Sequence, residues 1–549
     1  MLIKGIHSDS GQLIAPETYT VAMLRITKSL LAIVLCNAVA HAQYPEAKPT
    51  PGYLKRGFDA VRVEDAKRIL TYLATQCEGR GTGQRGFDKA ARFVANEFKR
   101  IGLKPLGDNG TYFQRARVTT GRDLRVAFRG PGGTVEFGAK DFSYLHNNGF
   151  RFEGPTAMSG LPTFIEYGGK PGKLPEPDQL KGRIVFFHFP DNHGDDSVDW
   201  ASLDKFFDGL AKTPPAAFFG VQDDFEAYKK SMDSNGLFHG PHWNLAEGPP
   251  EANQAGNGNV SGRAFPAIVN VARVGKLDAA RPGSVAVTLG MAPMTCEIKG
   301  KVENVRTENV VGLLEGSDPA LKAEYVVVGG HLDHWGIQNG LVYPGADDDG
   351  SGATDVIEAA KAVMANPMKP RRSIIFITFF GEEQGLLGSR YFANHPPVPL
   401  AKIVAELEMD MVARDSEGDQ QDDEHKRVDK ASENVDTIRV VGSKRISTDI
   451  DRDVQDSNAF VNFRLLYDSE SVYGRSDDYV FAHKGIPTAW LFSGFHPDYH
   501  QTTDTVDKID WLKLTNTAKL MYLTAHRIAD ADAAPKKDVV PGRGSEGSG

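Results

Sequence analysis

Cysteine is scarce in this chain, with three residues among 549. So few thiols exclude a framework of several disulfides. They also leave any metal site to imidazole and carboxylate ligands. Cys36 lies in a segment that we expect to be removed, so Cys77 and Cys296 remain. The sequence is equally compatible with one disulfide between them and with two free, buried thiols.

The chain also has fewer basic than acidic residues. The formal net charge is -9, and no long run of lysine or arginine occurs. A nucleic-acid-binding surface requires clustered positive charge, so the composition argues against nucleic acid as a partner. The remaining composition is ordinary for a globular protein, and the length is sufficient for two or more domains.

The chain has no apolar run that would form a membrane-spanning helix. The segment "MLRITKSLLAIVLCNAVAHAQ" begins at Met23, with Arg25 and Lys28 before an apolar run and an A-x-A sequence that ends at Ala42. The apolar run is shorter than the roughly 20 residues needed to cross a bilayer. The pattern predicts a signal peptide cleaved before Gln43, and hence a secreted or periplasmic protein.

The two ends of the chain are predicted to lie outside the folded part. Residues 1–22 read as an extension upstream of the signal peptide, and residues 534–549 as a disordered tail. Leu35 occupies the position where a lipid-modified Cys36 would require a small residue. We therefore expect no stable membrane anchor.

Residues 43–140 are predicted to form the N-terminal part of the main domain. The segment 55–103 contains two stretches with apolar residues at helical spacing. Between them, Gly81, Gly83 and Gly86 match G-x-G-x-x-G, which binds dinucleotides only when a strand precedes it. A helical segment precedes it here, so we expect a loop that joins two helices.

The predicted secondary-structure pattern changes twice after this segment. Residues 141–289 contain short strand-like runs separated by Gly- and Pro-rich loops, and we predict an inserted β-rich domain. Residues 290–533 alternate between strands and helices. This alternation predicts an α/β fold with a mostly parallel central sheet flanked by helices.

Metal-binding and acid–base side chains follow several of the predicted strands. In open α/β sheets, functional groups gather beyond the carboxyl ends of the strands. The side chains found at those positions, or just before the following helix, are these: His331, Asp347, Asp348, Asp349, Glu382, Glu383, Asp410, His496, Tyr499, His500 and Asp504.

Imidazole and carboxylate without thiolate suit zinc or a similar divalent ion. Five positions along the sheet edge carry His, Asp, Glu, Asp and His in chain order. Five such ligands exceed the number that one tetrahedral catalytic zinc uses. A bridging carboxylate would give each of two ions three ligands and leave room for a shared water. Two cations would also explain the adjacent Glu382 and Glu383, since one can bind metal while the other stays free as a general base.

The segments "GGHLDHWG", "PGADDDGSGA", "GEEQGLLGS", "ELEMDMV" and "HPDYHQTTDT" occur in this order. Together they resemble the co-catalytic di-zinc aminopeptidases, a family that includes the glutamate carboxypeptidase II group. The resemblance covers roughly 303–530, and "CEGRGTGQRG" fits the N-terminal part of the family. It implies a zinc exopeptidase fold of the phosphorylase/hydrolase-like type, and residues 141–289 resemble its inserted protease-associated domain.

The resemblance implies two zinc ions per chain and a ligand set in which every member is retained. Asp348 would bridge the two ions. His331 and Asp410 would complete one site, and Glu383 and His500 would complete the other. The implied substrates are peptides, and the oligomeric state stays open.

The resemblance also implies the roles of the remaining residues. Glu382 would be the general base, and Tyr499 would stabilise the oxyanion of the tetrahedral intermediate. Asp333 would not bind metal itself but would orient the imidazole of His331. A cis peptide bond between Asp348 and Asp349 is expected as well.

Three activities stay open at this point. The first is an aminopeptidase, and the second is a carboxypeptidase of the glutamate carboxypeptidase type or a glutaminyl cyclase, which uses similar ligands with one zinc. Recognition of a free amine or of a carboxylate would separate these. The third is a receptor-like binding protein on an inactive peptidase scaffold, against which the intact ligand set argues.

Overall fold

The computed structural model describes residues 43–144, 156–169, 173–188, 200–227, 242–245, 256–281, 283–417, 419–420, 427–428 and 430–538. The predicted upstream extension and signal peptide, including Cys36, lie outside the described residues, as does the end of the predicted tail. Among the described residues, no helix has the length and apolar character needed to cross a bilayer.

The described strands lie between residues 104 and 492. In chain order they are β1 (Lys104–Pro105), β2 (Phe113–Gly130), β3 (Gly133–Phe137), β4 (Phe142–Tyr144), β5 (Thr156–Gly160), β6 (Pro162–Tyr167), β7 (Ile184–His188), β8 (Ala217–Gln222), β9 (His242–Leu245), β10 (Gly256–Ser261), β11 (Val285–Leu289), β12 (Met294–Leu314), β13 (Tyr325–Gly329), β14 (Gly336–Gln338), β15 (Leu341–Tyr343), β16 (Ser373–Thr378), β17 (Ile403–Met409), β18 (Asp419–Gln420), β19 (Arg427–Val428), β20 (Thr437–Val441), β21 (Arg464–Leu466) and β22 (Thr488–Phe492).

The α-helices lie mainly before β1 and between the later strands. They are α1 (Gly52–Phe58), α2 (Val63–Gln76), α3 (Arg85–Ile101), α4 (Trp200–Lys212), α5 (Phe265–Ala272), α6 (Gly350–Ala365), α7 (Leu387–Asn394), α8 (Thr448–Asn458), α9 (Asp478–His483) and α10 (Trp511–Asp530).

The larger sheet has the strand order β21-β20-β22-β17-β13-β16-β12-β2-β3. Its four adjacent strands β22, β17, β13 and β16 run parallel. Antiparallel strands extend the sheet beyond β16 through β12, β2 and β3, and β20 is antiparallel to β22 at the other side. The predicted central parallel sheet flanked by helices is confirmed, and it is the parallel part that positions the site.

Helices cover both faces of the parallel strands, which explains why these strands read as continuous apolar runs. Side chains alternate between the faces. Ile374 and Phe376 of β16 pack into the core beneath α2, α3, α6 and α10. Ile375 and Ile377 face the opposite core, where Phe481 of α9 covers them.

A second sheet has the order β11-β6-β7-β8-β10-β4. Its strands β6, β7, β8 and β10 run parallel, and α4 connects β7 to β8. This sheet lies within the range 141–289 that the sequence predicts as an inserted domain. Two strands of the same range, β5 and β9, pair instead with β12 and β2 of the larger sheet.

The glycine-rich segment after α2 joins two helices, as predicted. A 3-10 turn over Glu78–Arg80 follows α2, and α3 begins at Arg85. Cys77, at the end of α2, and Cys296, in β12, are both buried and unpaired. The alternative of one disulfide is therefore not realised in the structure.

The first residues of the predicted tail are not free of the fold. The side chain of Asp538 accepts hydrogen bonds from the backbone N–H and the hydroxyl of Thr448, at 3.0 and 2.7 Å. Thr448 is the first residue of α8, where backbone N–H groups have no partner within the helix. The described residues of the predicted tail, 534–538, thus contact α8, and disorder stays a prediction for the rest of the tail.

Candidate metal centre

The ends of the four parallel strands deliver most of the predicted side chains to one edge of the sheet. His331 follows β13, Glu382 and Glu383 follow β16, and Asp410 follows β17 directly. The loop after β22 carries His500. Asp348 approaches the same edge from the loop before α6, so residues from five segments of the chain meet there.

One oxygen of Asp348 faces the first group of predicted ligands. His331 Nε2 lies 3.4 Å from Asp348 Oδ1 and 3.5 Å from Asp410 Oδ1. Glu382 Oε2 is slightly farther from the same nitrogen, at 3.8 Å. His331 Nε2 thus has two carboxylate oxygens within 3.5 Å, and the Glu382 carboxylate lies beside them.

The other oxygen of Asp348 faces the second group. His500 Nε2 lies 3.1 Å from Asp348 Oδ2 and 3.3 Å from Glu383 Oε2. Ligand atoms around a tetrahedral zinc stand roughly 3.3–3.6 Å apart when each bond is about 2.0–2.2 Å long. The distances from each histidine nitrogen to its two carboxylate oxygens are close to this spacing, so these residues fit two divalent ions, one on each side of Asp348.

The neighbouring Asp349 also lies within reach of His331 and Asp410, but its carboxylate has other partners. It accepts backbone N–H groups of Gly352, His331 and Met411 at 2.8, 3.1 and 3.2 Å. Asp349 is thus the N-cap of α6 and also accepts hydrogen bonds from the backbone of two neighbouring loops. The peptide bond between the two aspartates is cis, as expected.

The first aspartate of the triplet serves the fold. Asp347 Oδ1 accepts the backbone N–H of Ala413 at 2.8 Å, and Asp347 Oδ2 lies 3.3 Å from His496 Nε2. The backbone N–H groups of Asp347 and Asp348 both donate to Asp504, at 3.0 and 3.1 Å. The three consecutive aspartates therefore have three different tasks, and His496 and Asp504 support the loop from behind.

Burial and charge shift the two adjacent glutamates in opposite directions. Burial raises the pKa of Glu382 well above its usual value, although His331 opposes the shift. Burial and Asp348 would also raise the pKa of Glu383, but His500 and His334 hold it below its usual value. Without metal, Glu383 is therefore the more readily ionised of the two carboxyl groups, and Glu382 the more readily protonated.

The histidines supply the only positive charge in direct contact with the carboxylates of the two groups described here. Burial would lower the pKa of His331, but Glu382 and Asp410 raise it well above its usual value. Burial likewise opposes the shift of His500, whose pKa Glu383 and Asp348 raise to about 9. So many buried carboxylates need compensating cations, which metal ions in the same positions would provide.

Asp333 contacts its predicted partner through its backbone. His331 Nδ1 lies 3.0 Å from the carbonyl oxygen of Asp333 and 3.9 Å from its carboxylate. The carboxylate instead accepts the backbone N–H of Glu382 at 3.1 Å. Asp333 thus orients His331 with its main chain and fixes Glu382 with its side chain, a division that the sequence does not indicate.

Tyr499 lies directly against the second group. Its ring stacks on that of His500, with 3.6 Å between the ring centroids. Arg475 donates a hydrogen bond to the Tyr499 hydroxyl oxygen at 3.1 Å. Burial raises the pKa of Tyr499 well above its usual value, so the hydroxyl keeps a proton that it can donate.

Sequence reasoning missed three residues near these groups. His334 Nδ1 lies 2.6 Å from Glu383 Oε1, and Trp335 Nε1 donates to Glu383 Oε2 at 2.9 Å. Both residues belong to the segment "HLDHWG", so a second histidine three residues after His331 was an available signal. Arg475 carried no such signal, because its contact depends on a loop 24 residues later.

Arg80 is a fourth missed residue, and it is fully buried. Its guanidinium donates to the carbonyl oxygens of Leu332, Pro344 and Gly345 at 2.9, 2.7 and 2.6 Å. It therefore ties the 3-10 turn after α2 to the loop that carries His331 and to the loop that carries Asp348.

Part of the chain is similar to known peptidases. Residues 309–525, less than half of the chain, match the model of Peptidase family M28. A probable leucine aminopeptidase of Arthroderma otae is 27% identical over 42% of this chain and 63% of its own length. A probable zinc metalloprotease of Pyrenophora teres f. teres is 27% identical over 42% of this chain and 50% of its own. The chain thus spans between half and two thirds of these relatives.

A solved structure covers more of the chain. The aminopeptidase from Aneurinibacillus sp. strain AM-1 aligns with a TM-score of 0.51 and 17% identity, over 89% of this chain and 98% of that one. At this identity the likeness supports the fold, which is the α/β arrangement described above.

Proposed function

We propose that the protein is a zinc-dependent aminopeptidase, which removes N-terminal residues from peptides at a centre of two zinc ions per chain. The observation that carries the proposal is the position of Asp348, whose Oδ1 lies 3.4 Å from His331 Nε2 and whose Oδ2 lies 3.1 Å from His500 Nε2. The same two nitrogens lie 3.5 Å from Asp410 Oδ1 and 3.3 Å from Glu383 Oε2. The family match over residues 309–525 supports a peptidase. The names of the relatives support an aminopeptidase and zinc.

In this proposal His331 and Asp410 would hold one ion, Glu383 and His500 would hold the other, and Asp348 would be shared between them. Zinc in these positions would supply Lewis acidity, which brings the pKa of a water towards about 7 and polarises a carbonyl. The residues themselves fix where the peptide and the water react.

Glu382 is the proposed general base. Its carboxylate stands beside the first group at 3.8 Å from His331 Nε2, and its side chain is 11% exposed. The backbone N–H of Glu382 donates to the carboxylate of Asp333, which holds the residue in place. Glu382 accepts the proton of the attacking water and then passes it to the leaving amine.

Tyr499 is the proposed donor to the developing oxyanion. Because Arg475 donates to the hydroxyl oxygen of Tyr499, the hydroxyl proton is free to point towards the substrate carbonyl. A hydrogen bond that strengthens as charge develops stabilises the transition state more than the ground state.

The alternatives require different features. A glutaminyl cyclase with one zinc would not need two separate groups of ligands around Asp348, and the intact set of predicted ligands argues against a receptor-like protein on an inactive scaffold. A carboxypeptidase would use the same centre, so the end of the peptide that is recognised must be tested directly.

We further propose the domain arrangement and location that the sequence predicts. Residues 43–140 and 290–533 form the peptidase domain, and residues 141–289 form a protease-associated-like insertion without metal ligands. Residues 23–42 direct the chain to secretion or to the periplasm. The separate sheet from β4 to β11 supports the insertion.

A substrate panel tests the activity. Aminoacyl chromogenic substrates, the same compounds with an acetylated amine, and substrates with a free carboxyl-terminal residue would be compared before and after metal removal. We expect cleavage of the free-amine substrates alone, loss of activity with chelator, and recovery with zinc. Cleavage confined to carboxyl-terminal residues, or full activity of metal-free protein, would reject the proposal.

A further inference from the structure

One loop contacts both carboxylate oxygens of Glu383. His334 Nδ1 lies 2.6 Å from Oε1, and the indole N–H of Trp335 donates to Oε2 at 2.9 Å. The same loop begins with His331, which belongs to the other ligand group. A carboxylate that is contacted at both oxygens has its rotation about the terminal bond restricted.

The distances distinguish the role of His334 from that of a metal ligand. The predicted ligand atoms are separated by 3.1–3.5 Å, whereas His334 Nδ1 and Glu383 Oε1 are only 2.6 Å apart. His334, Asp348 and Glu383 together form a group that could hold an ion, but a separation of 2.6 Å between two ligand atoms is too short for two ligands of one tetrahedral zinc. Asp348 Oδ2 is farther from His334 Nδ1, at 3.7 Å.

The surroundings fix the imidazole of His334 in this position. The ring is fully buried and lies nearly parallel to the Trp335 ring, with an interplanar angle of 11°. Gly345 makes room for it, since a Cβ at Gly345 would stand 2.5 Å from His334 Cγ. Trp335 in turn lies 4.4 Å from the ring of His500.

We propose that His334 and Trp335 are positioning residues for Glu383, and that they set the affinity of the ion held by Glu383 and His500. The inference rests on the metal centre of the proposed function but not on peptide cleavage. Residues that contact and orient a metal ligand commonly contribute a factor of about 10–100 to metal affinity. The loop that supplies His331 to one ion would thereby tune the other ion selectively.

Zinc binding to the metal-free full chain, followed by calorimetry, tests the proposal. We expect two ions to bind the unaltered protein. His334→Leu should weaken one of the two about 10–100-fold and leave the other unchanged. His334→Asn should retain most of the affinity, because its amide N–H can replace the Nδ1–H donor. His526→Ala is the matched control, since His526 is a buried histidine of α10 outside the centre.

Equal binding of both ions by the unaltered protein and by His334→Leu would overturn the proposal, as would equal losses in the Leu and Asn variants. If His334→Leu does not fold, Trp335→Phe decides: weaker binding of one ion supports the proposal, and binding of both ions as in the unaltered protein rejects it. Zinc binding without peptide cleavage would reject the proposed function alone, since the calorimetric comparison is independent of activity.

Discussion

At the scale of single residues, the proposal assigns proton transfer to Glu382 and metal binding to Glu383. Glu382→Gln removes the base but no ligand, so we expect both zinc ions to be retained while the rate falls by about 10²–10⁴-fold. Glu383→Gln removes a ligand oxygen and should lower the zinc content as well. Metal analysis alongside steady-state kinetics measures both effects, and identical zinc contents in the two variants would contradict this division.

The same scale shows what the sequence can predict. The residues at strand ends were predicted because parallel strands bring their carboxyl ends together whatever the detailed packing. His334 and Trp335 were not assigned roles, although they lie in a quoted segment, because their contacts depend on side-chain directions. Arg80 contacts carbonyls 252 and 265 residues later in the chain, a distance at which local pattern carries no information.

At the scale of elements, Arg80 joins the N-terminal helices to the two loops of the centre. Arg80→Met would leave several buried carbonyls unpaired, and each such group costs about 1–3 kcal/mol. We therefore expect a loss of about 3 kcal/mol or more in the free energy of unfolding. Chemical denaturation of the metal-free protein measures it.

Arg85→Ala is the control for this prediction. Arg85 belongs to the same glycine-rich segment, but its side chain is 82% exposed and pairs with Glu78 at the surface. Exposed substitutions of this kind usually change stability by less than about 0.5 kcal/mol. Equal losses in the two variants would show that the buried contacts of Arg80 do not stabilise the fold.

Some strands of the fold could be predicted from the sequence, and the pairing of others could not. The apolar runs of β13, β16 and β17 identify buried parallel strands, since both faces of these strands must be covered. The pairing of β5 and β9 with the larger sheet was not predicted. Both strands are short, with five and four residues, and nothing in their local sequence specifies which of two sheets they join.

At the scale of the whole molecule, the smaller sheet carries its own pH dependence. His188 lies between Glu166 and Asp223, at 2.7 and 3.0 Å, with 23% of its side chain exposed. The hydrogen bond with Glu166 raises the pKa of His188 to about 9, against the effect of burial. A pKa raised in the folded state gives stability that is complete below about pH 6.5 and is lost as the pH rises through about 9.

His188→Gln should therefore remove a pH-dependent part of the stability. Between pH 6.5 and 9 the unaltered protein should lose up to about 1.4 kcal/mol per pH unit relative to the variant. Denaturation midpoints of both proteins at several pH values in this window measure the difference. Parallel pH curves would show that His188 does not link protonation to folding.

The central claim is that Asp348 bridges two zinc ions, and anomalous diffraction at the zinc edge from crystals of the zinc-loaded protein tests it most directly. The account predicts two peaks, one beside each carboxylate oxygen of Asp348, with His331 and Asp410 around the first and Glu383 and His500 around the second. A single peak, or peaks that leave Asp348 uncoordinated, would contradict it.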